Sequence, residues 1–341
     1  MTHLLPEWHP QWGVMLAWPH PDTDWARLLT AAESTYTDIA RAVLAREHLL
    51  VLCRDEAHGA HIRQRLAEAG ADLTRLHLHA LPYNDTWARD FGPIAVTRDG
   101  STRLLDFTFN GWGGKFAADQ DNAVNGRLTW SVPRESVDLV LEGGSIDTDG
   151  EGVLLTTRHC LLNPNRNPHL DEATISARLK EALGVHDIWW LSEGHLEGDD
   201  TDAHVDTLAR FCDARTIAYV QCNDPDDSHY PALQAMQAEL EALADRHRLT
   251  LVPLPMAIAQ YDEDGERLPA TYANFLIIND AVLMPTYACK TDAEALERLQ
   301  GAFPRHEVIG IDCRPLIAQH GSLHCVTMQL PEGVCPVEGD R

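Results

Sequence analysis

Cys325 is the residue of this sequence best placed to act as a nucleophile. It follows the Gly321-Ser322 pair, and we expect it to open a half-buried strand, because apolar residues alternate from Val326 to Leu330. A thiol beside a turn is accessible to small molecules, and the thiolate is a strong nucleophile near neutral pH. The alternative is that Cys325 is a small buried hydrophobic residue, as free cysteines commonly are.

A candidate general acid or base lies in the string Asp202-Ala203-His204-Val205-Asp206. On an extended segment His204 and Asp206 would point to the same face, and histidine titrates near working pH. The same string resembles the Asp-Ala-His-x-Asp metal motif of ureohydrolases such as arginase. The further His/Asp manganese motifs that those enzymes need are not found in this sequence.

Two carboxylates and a tryptophan complete the set of candidate residues. Asp90 precedes an apolar strand, and Trp87 beside it could form an aromatic wall for an alkyl or ammonium group. Glu142 ends the apolar run Val137–Leu141, where a glutamate is rarely buried without a partner, so it could orient a histidine. The alternatives are a turn residue or ion-pair partner for Asp90, a core position for Trp87 and an exposed strand end for Glu142.

The net charge of −25, from 27 basic and 52 acidic residues among 341, argues against nucleic acid and anionic membranes as partners. It suits a cationic small molecule, although a soluble acidic surface gives the same value. The eight cysteines include no CxxC pair, the N-terminus has no signal-peptide pattern and no window has 18 apolar residues. We therefore expect a cytoplasmic protein. P-loop, Rossmann and GxSxG motifs are absent from the sequence.

Helical and strand patterns alternate along the chain, which is typical of an α/β fold. Helices are predicted over 24–46, 56–69, 171–183, 229–247 and 292–302, and strands over 48–53, 73–81, 188–191, 249–254 and 307–311. No low-complexity segment or long Pro/Gly/Ser linker divides the chain, so we expect a single domain over 1–341.

Four hairpins with tight turns recur between these units, and a fifth apolar strand follows Cys325. The hairpins are predicted over 93–109, 145–156, 207–220 and 274–284. A polar residue precedes or opens each of the five units: Asp90, Glu142, Asp206, Asn274 and Cys325. If the units are repeats packed around an axis, these residues converge on one central pocket. Independently placed turn residues would produce a similar pattern.

Taken together, several strings in order resemble the agmatine deiminase family, also described as bacterial peptidyl-arginine-deiminase-like, of the guanidine-modifying pentein superfamily. The strings extend over nearly the whole chain: Leu16–Pro19, Trp87–Pro93, Leu141–Ile146, Asn163–Pro168, Thr201–Asp206, Tyr272–Phe275 and Leu323–Thr327. The resemblance implies a five-bladed α/β propeller with a central active site.

The resemblance also implies roles for individual residues. Cys325 would be the nucleophile, His204 the general acid and base, and Glu142 the partner of His204, while Asp90 and Asp206 would hold a guanidinium with Trp87 lining the site. The implied reaction is the hydrolysis of agmatine to N-carbamoylputrescine and ammonia through a covalent thiouronium, a step toward putrescine. It would need neither a metal nor an organic cofactor, and the family suggests a homo-oligomer.

Two departures from the commoner family pattern leave the substrate tail open. Asp202-Ala203 replaces Asn-Gly before His204, and His320-Gly321-Ser322 replaces Gly-Gly-Asn. Peptidyl-arginine, free arginine or another guanidine therefore remains an alternative to agmatine. Two other classes also remain open: a manganese-dependent ureohydrolase, and a non-enzymatic pentein like the ribosome-associated translation factors, although the net charge disfavours ribosomal RNA.

Overall fold

The structure is a computed structural model that describes residues 2–337. Met1 and residues 338–341 of the predicted domain lie outside the described residues. The strands are β1 (Thr2–Leu4), β2 (Gln11–Ala17), β3 (His48–Cys53), β4 (Leu76–Ala80), β5 (Ile94–Arg98), β6 (Ser101–Thr108), β7 (Arg134–Val140), β8 (Ile146–Thr148), β9 (Val153–Thr157), β10 (Asp187–Leu191), β11 (Ala209–Asp213), β12 (Thr216–Gln221), β13 (Thr250–Pro255), β14 (Leu276–Ile278), β15 (Ala281–Thr286), β16 (Glu307–Asp312) and β17 (Thr327–Pro331).

The helices alternate with these strands, as predicted. They are α1 (Leu29–Leu44), α2 (Glu56–Glu68), α3 (Ala88–Phe91), α4 (Gly111–Gly114), α5 (Val124–Arg127), α6 (Arg158–Leu161), α7 (Glu172–Leu183), α8 (Tyr230–His247), α9 (Asp292–Ala302) and α10 (Arg314–Ile317). The first predicted helix, 24–46, was wrong in one respect: a 3₁₀ turn at Asp24–Arg27 is separate from α1. Among residues 2–337, no helix is both long enough and apolar enough to cross a membrane.

The strands form five sheets built on one plan. In each sheet an antiparallel pair is extended by a strand parallel to its second member. The sheet orders are β1-β5-β6-β7, β10-β9-β8, β11-β12-β13, β14-β15-β16 and β17-β2-β3-β4. A parallel strand needs a crossover connection, and α1, α7, α8 and α9 provide it in four of the sheets. The five predicted units are therefore confirmed.

The two ends of the described chain close the structure. β17 pairs antiparallel with β2, so the last unit is completed by a strand from near the N-terminus. β1 pairs with the edge of the first hairpin at β5. These long-range pairs connect the first sheet in the chain to the last.

The inner strands are continuous apolar runs in the sequence because both of their faces are buried in the core. In β3, Leu49–Cys53 is buried throughout, as expected for a strand covered on both faces. The outer helices bury only one face; in α8 the buried residues Leu233, Met236 and Leu240 recur at helical spacing. Some of the buried polar residues, among them Asp90, His204 and Asp206, lie where the units meet.

Candidate active site

The five units are hydrogen-bonded to one another in a closed ring, mostly through the turns that precede them. The bonds run from Gly144 N to Asp90 Oδ1 (3.0 Å), from Thr157 Oγ1 to the Ala203 carbonyl (2.7 Å), from Asn274 Nδ2 to the Asp206 carbonyl (3.2 Å), from His324 N to Asn274 Oδ1 (2.8 Å) and from Arg89 N to the Cys325 carbonyl (3.2 Å). All five units contribute, so the segments that carry the predicted residues meet; of those residues, Asp90 and Cys325 line the same cavity.

Gly144 marks the closest approach of three predicted residues. A Cβ atom at this position would lie 2.6 Å from His204 Nδ1, 2.9 Å from Asp90 Oδ1 and 3.0 Å from Asp206 Oδ2. These distances are far inside van der Waals contact. The absence of a side chain at Gly144 therefore lets His204 and Asp206 of the third unit approach Asp90 of the first.

The sequence predicted that Cys325 opens the last strand. In the structure Cys325 lies in the turn before β17, which begins at Thr327. Its side chain is 5% exposed and lines a cavity of about 210 Å³ together with Trp87, Asp90 and His320. The thiol lies 3.4 Å from Asn274 Oδ1. Burial, and then the charges of Asp206 and Asp90, raise the pKa of Cys325 well above its ordinary value. The raised pKa favours the protonated thiol over the thiolate.

His204 does not lie on an extended segment, so that prediction was wrong. Asp202 and Ala203 have left-handed backbones, with φ of 66° and 62°, and a 3₁₀ helix follows at Val205–Thr207. His204 Nδ1 is 3.6 Å from Asp90 Oδ1, and neither ring nitrogen makes a hydrogen bond. Burial lowers the pKa of His204 to about 3, so the ring is neutral in the empty site.

Asp90 and Asp206 have different electrostatic surroundings. Asp90 accepts hydrogen bonds from neutral donors, Gly144 N at 3.0 Å and Trp112 Nε1 at 2.9 Å. Burial and the nearby Asp206 charge raise the pKa of Asp90 well above its ordinary value. Burial would also raise the pKa of Asp206, but His324, 2.7 Å away, reverses the direction, and the pKa is lowered. Asp206 Oδ1 is buried and has no hydrogen-bond partner.

Glu142 is closer to an arginine than to His204. Both of its oxygens lie 2.9 Å from Arg166 Nε, whereas His204 Nε2 is 4.0 Å from the nearer one. Arg166 also donates to Asp202 at 2.7 Å and to the Thr201 carbonyl at 2.8 Å. Burial raises the pKa of Glu142, although Arg166 opposes the rise. Arg166 thereby connects Glu142 to the segment that carries His204.

One group of metal-ligating residue types lies together within residues 2–337. Glu142, Cys160 and His204 each offer a ligand atom within 4.8 Å of the others. The Arg166 guanidinium already occupies both oxygens of Glu142, so an incoming metal ion would meet a positive charge there. Asp202 of the string that resembles a metal motif is likewise ion-paired, to Arg166 and Lys115.

Two indole rings flank the cavity. Trp87 donates to Asp85 Oδ2 at 3.0 Å, and its ring passes over Gly321, where a Cβ atom would lie 2.1 Å from a ring carbon. Trp112, with φ of 54° and ψ of 46°, also lines the cavity while it donates to Asp90. Trp87 was predicted from the sequence, but Trp112 was not. The only local indication of Trp112 was the group of glycines around it.

The sequence analysis also missed a buried network behind Asp206. His324 lies 2.7 Å from Asp206 Oδ2 and 2.7 Å from Glu7 Oε2. Glu7 in turn contacts Arg210 at 3.0 Å and Arg89 at 3.4 Å. Since these residues are scattered from position 7 to position 324, no local pattern could have grouped them.

Comparison with known proteins agrees with this geometry. Residues 3–331 match the family model described as Porphyromonas-type peptidyl-arginine deiminase. The chain belongs to the agmatine deiminase family. An agmatine deiminase of Ectopseudomonas mendocina is 34% identical over 366 residues, covering 96% of this chain and 95% of that protein.

Solved structures of this family extend the comparison. A C. jejuni agmatine deiminase with substrate bound is 40% identical and has a TM-score of 0.91, covering 98% of this chain and 97% of that one. A Porphyromonas gingivalis protein with the provisional name arginine deiminase is 51% identical, with a TM-score of 0.90, covering 98% and 99% of the two chains. The predicted pentein fold is confirmed, and so is the enzyme class, a deiminase that hydrolyses C–N bonds.

Proposed function

We propose that this enzyme hydrolyses agmatine to N-carbamoylputrescine and ammonia through a covalent thiouronium on Cys325. The observation that carries the proposal is that Cys325 and Asp90 line one cavity, while an unpartnered histidine, His204, and a second aspartate, Asp206, lie beside Asp90 at Gly144. The same groups would bind the guanidinium of any guanidine, so they do not determine what the rest of the substrate is.

The first task of the site is to hold a flat cation. A guanidinium offers paired N–H groups, which carboxylates accept in its own plane. Asp206 Oδ1 is buried and unpartnered, and Asp90 accepts only neutral donors, so both carboxylates gain from a cation between them. The low polarity of the site strengthens that attraction. Water exclusion therefore favours the charged substrate over neutral ureas.

The first half of the reaction forms a C–S bond and breaks a C–N bond. When the cation binds, its charge lowers the pKa of the Cys325 thiol, and neutral His204 takes the proton. The thiolate adds to the central guanidinium carbon and gives a neutral tetrahedral adduct. His204 returns the proton to one terminal nitrogen, which leaves as ammonia, and a cationic S-alkylthiouronium remains on Cys325.

The second half adds water and releases the thiol. His204, neutral again, removes a proton from water, and the hydroxide adds to the thiouronium carbon. Collapse of this adduct breaks the C–S bond, its hydroxyl proton returns to sulfur and a ureido product leaves. The proton on His204 passes to ammonia, which departs as ammonium, so atoms and charges balance. In this proposal Glu142 and Arg166 hold the segment of His204, and Asn274 holds the thiol.

The outer part of the cavity favours a second positive charge over a carboxylate. Asp24, Asp85 and Asp200 line it together with Gln319 and His320. Lys115 lies nearby, but it is bound to Asp202 and to the Asp200 carbonyl. Agmatine carries an ammonium at its far end, whereas free arginine carries a carboxylate that this acidic mouth would repel. Agmatine is therefore the guanidine that the cavity supports best.

The test measures ammonia release from agmatine, arginine and a peptidyl-arginine, with and without a metal chelator. We expect chelator-resistant activity, highest with agmatine, that disappears in Cys325→Ala. As the matched control, Cys335→Ala removes a more exposed thiol and should retain full activity. A haloacetamidine should label Cys325 ahead of Cys335 despite its burial. Full activity of Cys325→Ala, or urea as the product, would end the proposal.

A further inference from the structure

We propose that His324 is an imidazolium that keeps Asp206 ionised by binding one of its oxygens and leaving the other free. It is a positioning residue, since it touches Asp206 rather than the cavity that holds Cys325. The part of this inference that concerns substrate rests on the proposed role of Asp206 in holding a guanidinium. The charge on His324 itself does not depend on that role.

The hydrogen bonds of His324 determine its protonation. Nδ1 lies 2.7 Å from Asp206 Oδ2, and Nε2 lies 2.7 Å from Glu7 Oε2. An ionised carboxylate only accepts hydrogen bonds, so each ring nitrogen must donate one. A ring that donates from both nitrogens carries both protons and is therefore charged. The side chain is buried, so water cannot substitute for either contact.

The surrounding charges balance only if His324 is positive. The groups that face it are the carboxylates Glu7 and Asp206, and behind Glu7 lie Arg89 and Arg210. Arg210 also pairs with Asp147 at 3.2 Å, which adds a third carboxylate. Three carboxylates meet two guanidinium groups, so a positive His324 makes the buried cluster neutral. Buried charges are tolerated when they are paired in this way.

The imidazolium also explains the difference between the two aspartates of the site. Its contact occupies Asp206 Oδ2 and leaves Asp206 Oδ1 without a partner. Asp90 has no such cation and accepts only from Gly144 N and Trp112 Nε1. One carboxylate is therefore charged before substrate arrives, whereas the other gains its counter-ion from the substrate.

The chain offers a matched control for this histidine. His229 is also buried and hydrogen-bonded at both nitrogens, but Nε2 accepts from Glu197 N at 2.7 Å while Nδ1 donates to Asp227 at 2.9 Å. Its one acceptor nitrogen makes it a neutral ring. It lines no part of the cavity that holds Cys325.

The charge is tested without substrate, on the wild-type protein, by ¹H–¹⁵N spectra of labelled histidines assigned with His324→Gln and His229→Gln. At neutral pH, where an ordinary histidine is mostly neutral, both nitrogens of His324 should carry protons. His229 should show one protonated and one bare nitrogen under the same conditions. A neutral tautomer at His324 would overturn the proposal, whether or not the protein proves to be a deiminase.

The positioning role is tested kinetically. His324→Gln should raise the KM for agmatine roughly tenfold and lower kcat less, because the loss falls on binding. Removing the positive charge raises the pKa of Asp206, so the acidic limb of kcat/KM should move to higher pH. His229→Gln should leave both quantities unchanged. An unmoved acidic limb and KM in a folded His324→Gln variant would contradict the role, whereas a wild type inactive on every guanidine would contradict the proposed function instead.

Discussion

His204 Nδ1 lies 3.6 Å from Asp90 Oδ1, yet both nitrogens of this buried ring lack a hydrogen-bond partner. An unpartnered buried polar atom costs on the order of 1–3 kcal/mol, so a ligand that hydrogen-bonds to His204 gains by pairing with it. Burial lowers the pKa of His204 to about 3 and raises the pKa of Asp90. A neutral histidine therefore lies beside a carboxyl group whose pKa is raised, so the proton of Asp90 is held more tightly than that of an ordinary aspartate.

The first prediction is that a guanidinium displaces a proton from the site when it binds. Burial and the charge of Asp206 raise the pKa of Asp90, and a bound cation favours the ionised form and lowers that pKa again. Calorimetry of agmatine binding to Cys325→Ser, in buffers of different ionisation enthalpy, measures the protons released. We expect net release that grows as the pH falls below the pKa of Asp90 in the empty site.

The double variant Cys325→Ser/Asp90→Asn provides the control, since the amide at position 90 has no proton to release in this range. Its binding enthalpy should be independent of buffer, and its affinity should be weaker because one carboxylate is lost. Proton uptake by Cys325→Ser, or equal release by Cys325→Ser and the double variant, would show that Asp90 is already ionised in the empty site.

The second prediction concerns the space at Gly144. Gly144→Ala places a methyl group within 3.0 Å of His204, Asp90 and Asp206, so these groups must move apart. A displacement of this size should lower kcat by about a hundredfold, because catalytic groups tolerate little misplacement. Gly301→Ala in α9, where no atom lies within 4 Å, is the control and should retain full activity. Near wild-type activity of a folded Gly144→Ala variant would mean that this close approach is not used.

The sequence predicted the fold through features that are local. Alternating helices and strands and the recurring hairpins depend on short patterns, and the structure confirms the five units built from them. The five polar residues before those units are also brought together, because each occupies the same place in its unit. Their roles stay predictions, since position alone does not report chemistry.

The parts that the sequence did not reveal depend on distant contacts. Glu7 lies 317 positions from His324, so no local sequence pattern could predict their hydrogen bond. The local geometry of His204 was predicted as extended because period-2 spacing ignores the left-handed backbone at Asp202 and Ala203. The resemblance assigned Glu142 to His204, and its nearer partner, Arg166, was not predicted because it comes from another loop.

The third prediction concerns the contribution of the Arg166–Glu142 ion pair to stability. Arg166→Gln leaves the fully buried Glu142 without its cation, and breaking a buried pair in this way costs about 3–5 kcal/mol. Urea unfolding measures the loss. Arg215→Gln is the control: its pair with Glu151 is 64% and 56% exposed, and such pairs contribute about 1 kcal/mol or less. Equal losses in the two variants would show that Glu142 does not need its arginine.

The fourth prediction concerns the far end of the substrate. Asp200 lines the cavity mouth, and burial followed by the charge of Asp199 raises its pKa to about 6. A carboxylate attracts the ammonium of agmatine only when ionised, so this contribution is present above a pH of about 6 and is lost as the pH falls through that value. The KM for agmatine should therefore rise on acidification, with kcat changing less.

Asp200→Asn should raise the KM for agmatine about fivefold at neutral pH, as expected for a partly exposed charge pair. Its KM for propylguanidine, which has no ammonium, should remain that of the wild type, so the comparison isolates the tail. Asp264 is an exposed residue outside the cavity, so Asp264→Asn is the control and should change the KM for neither substrate. If Asp200→Asn raised the KM for both guanidines equally, Asp200 would act on the guanidinium end or on the fold. The acidic residues of the cavity would then not select for agmatine.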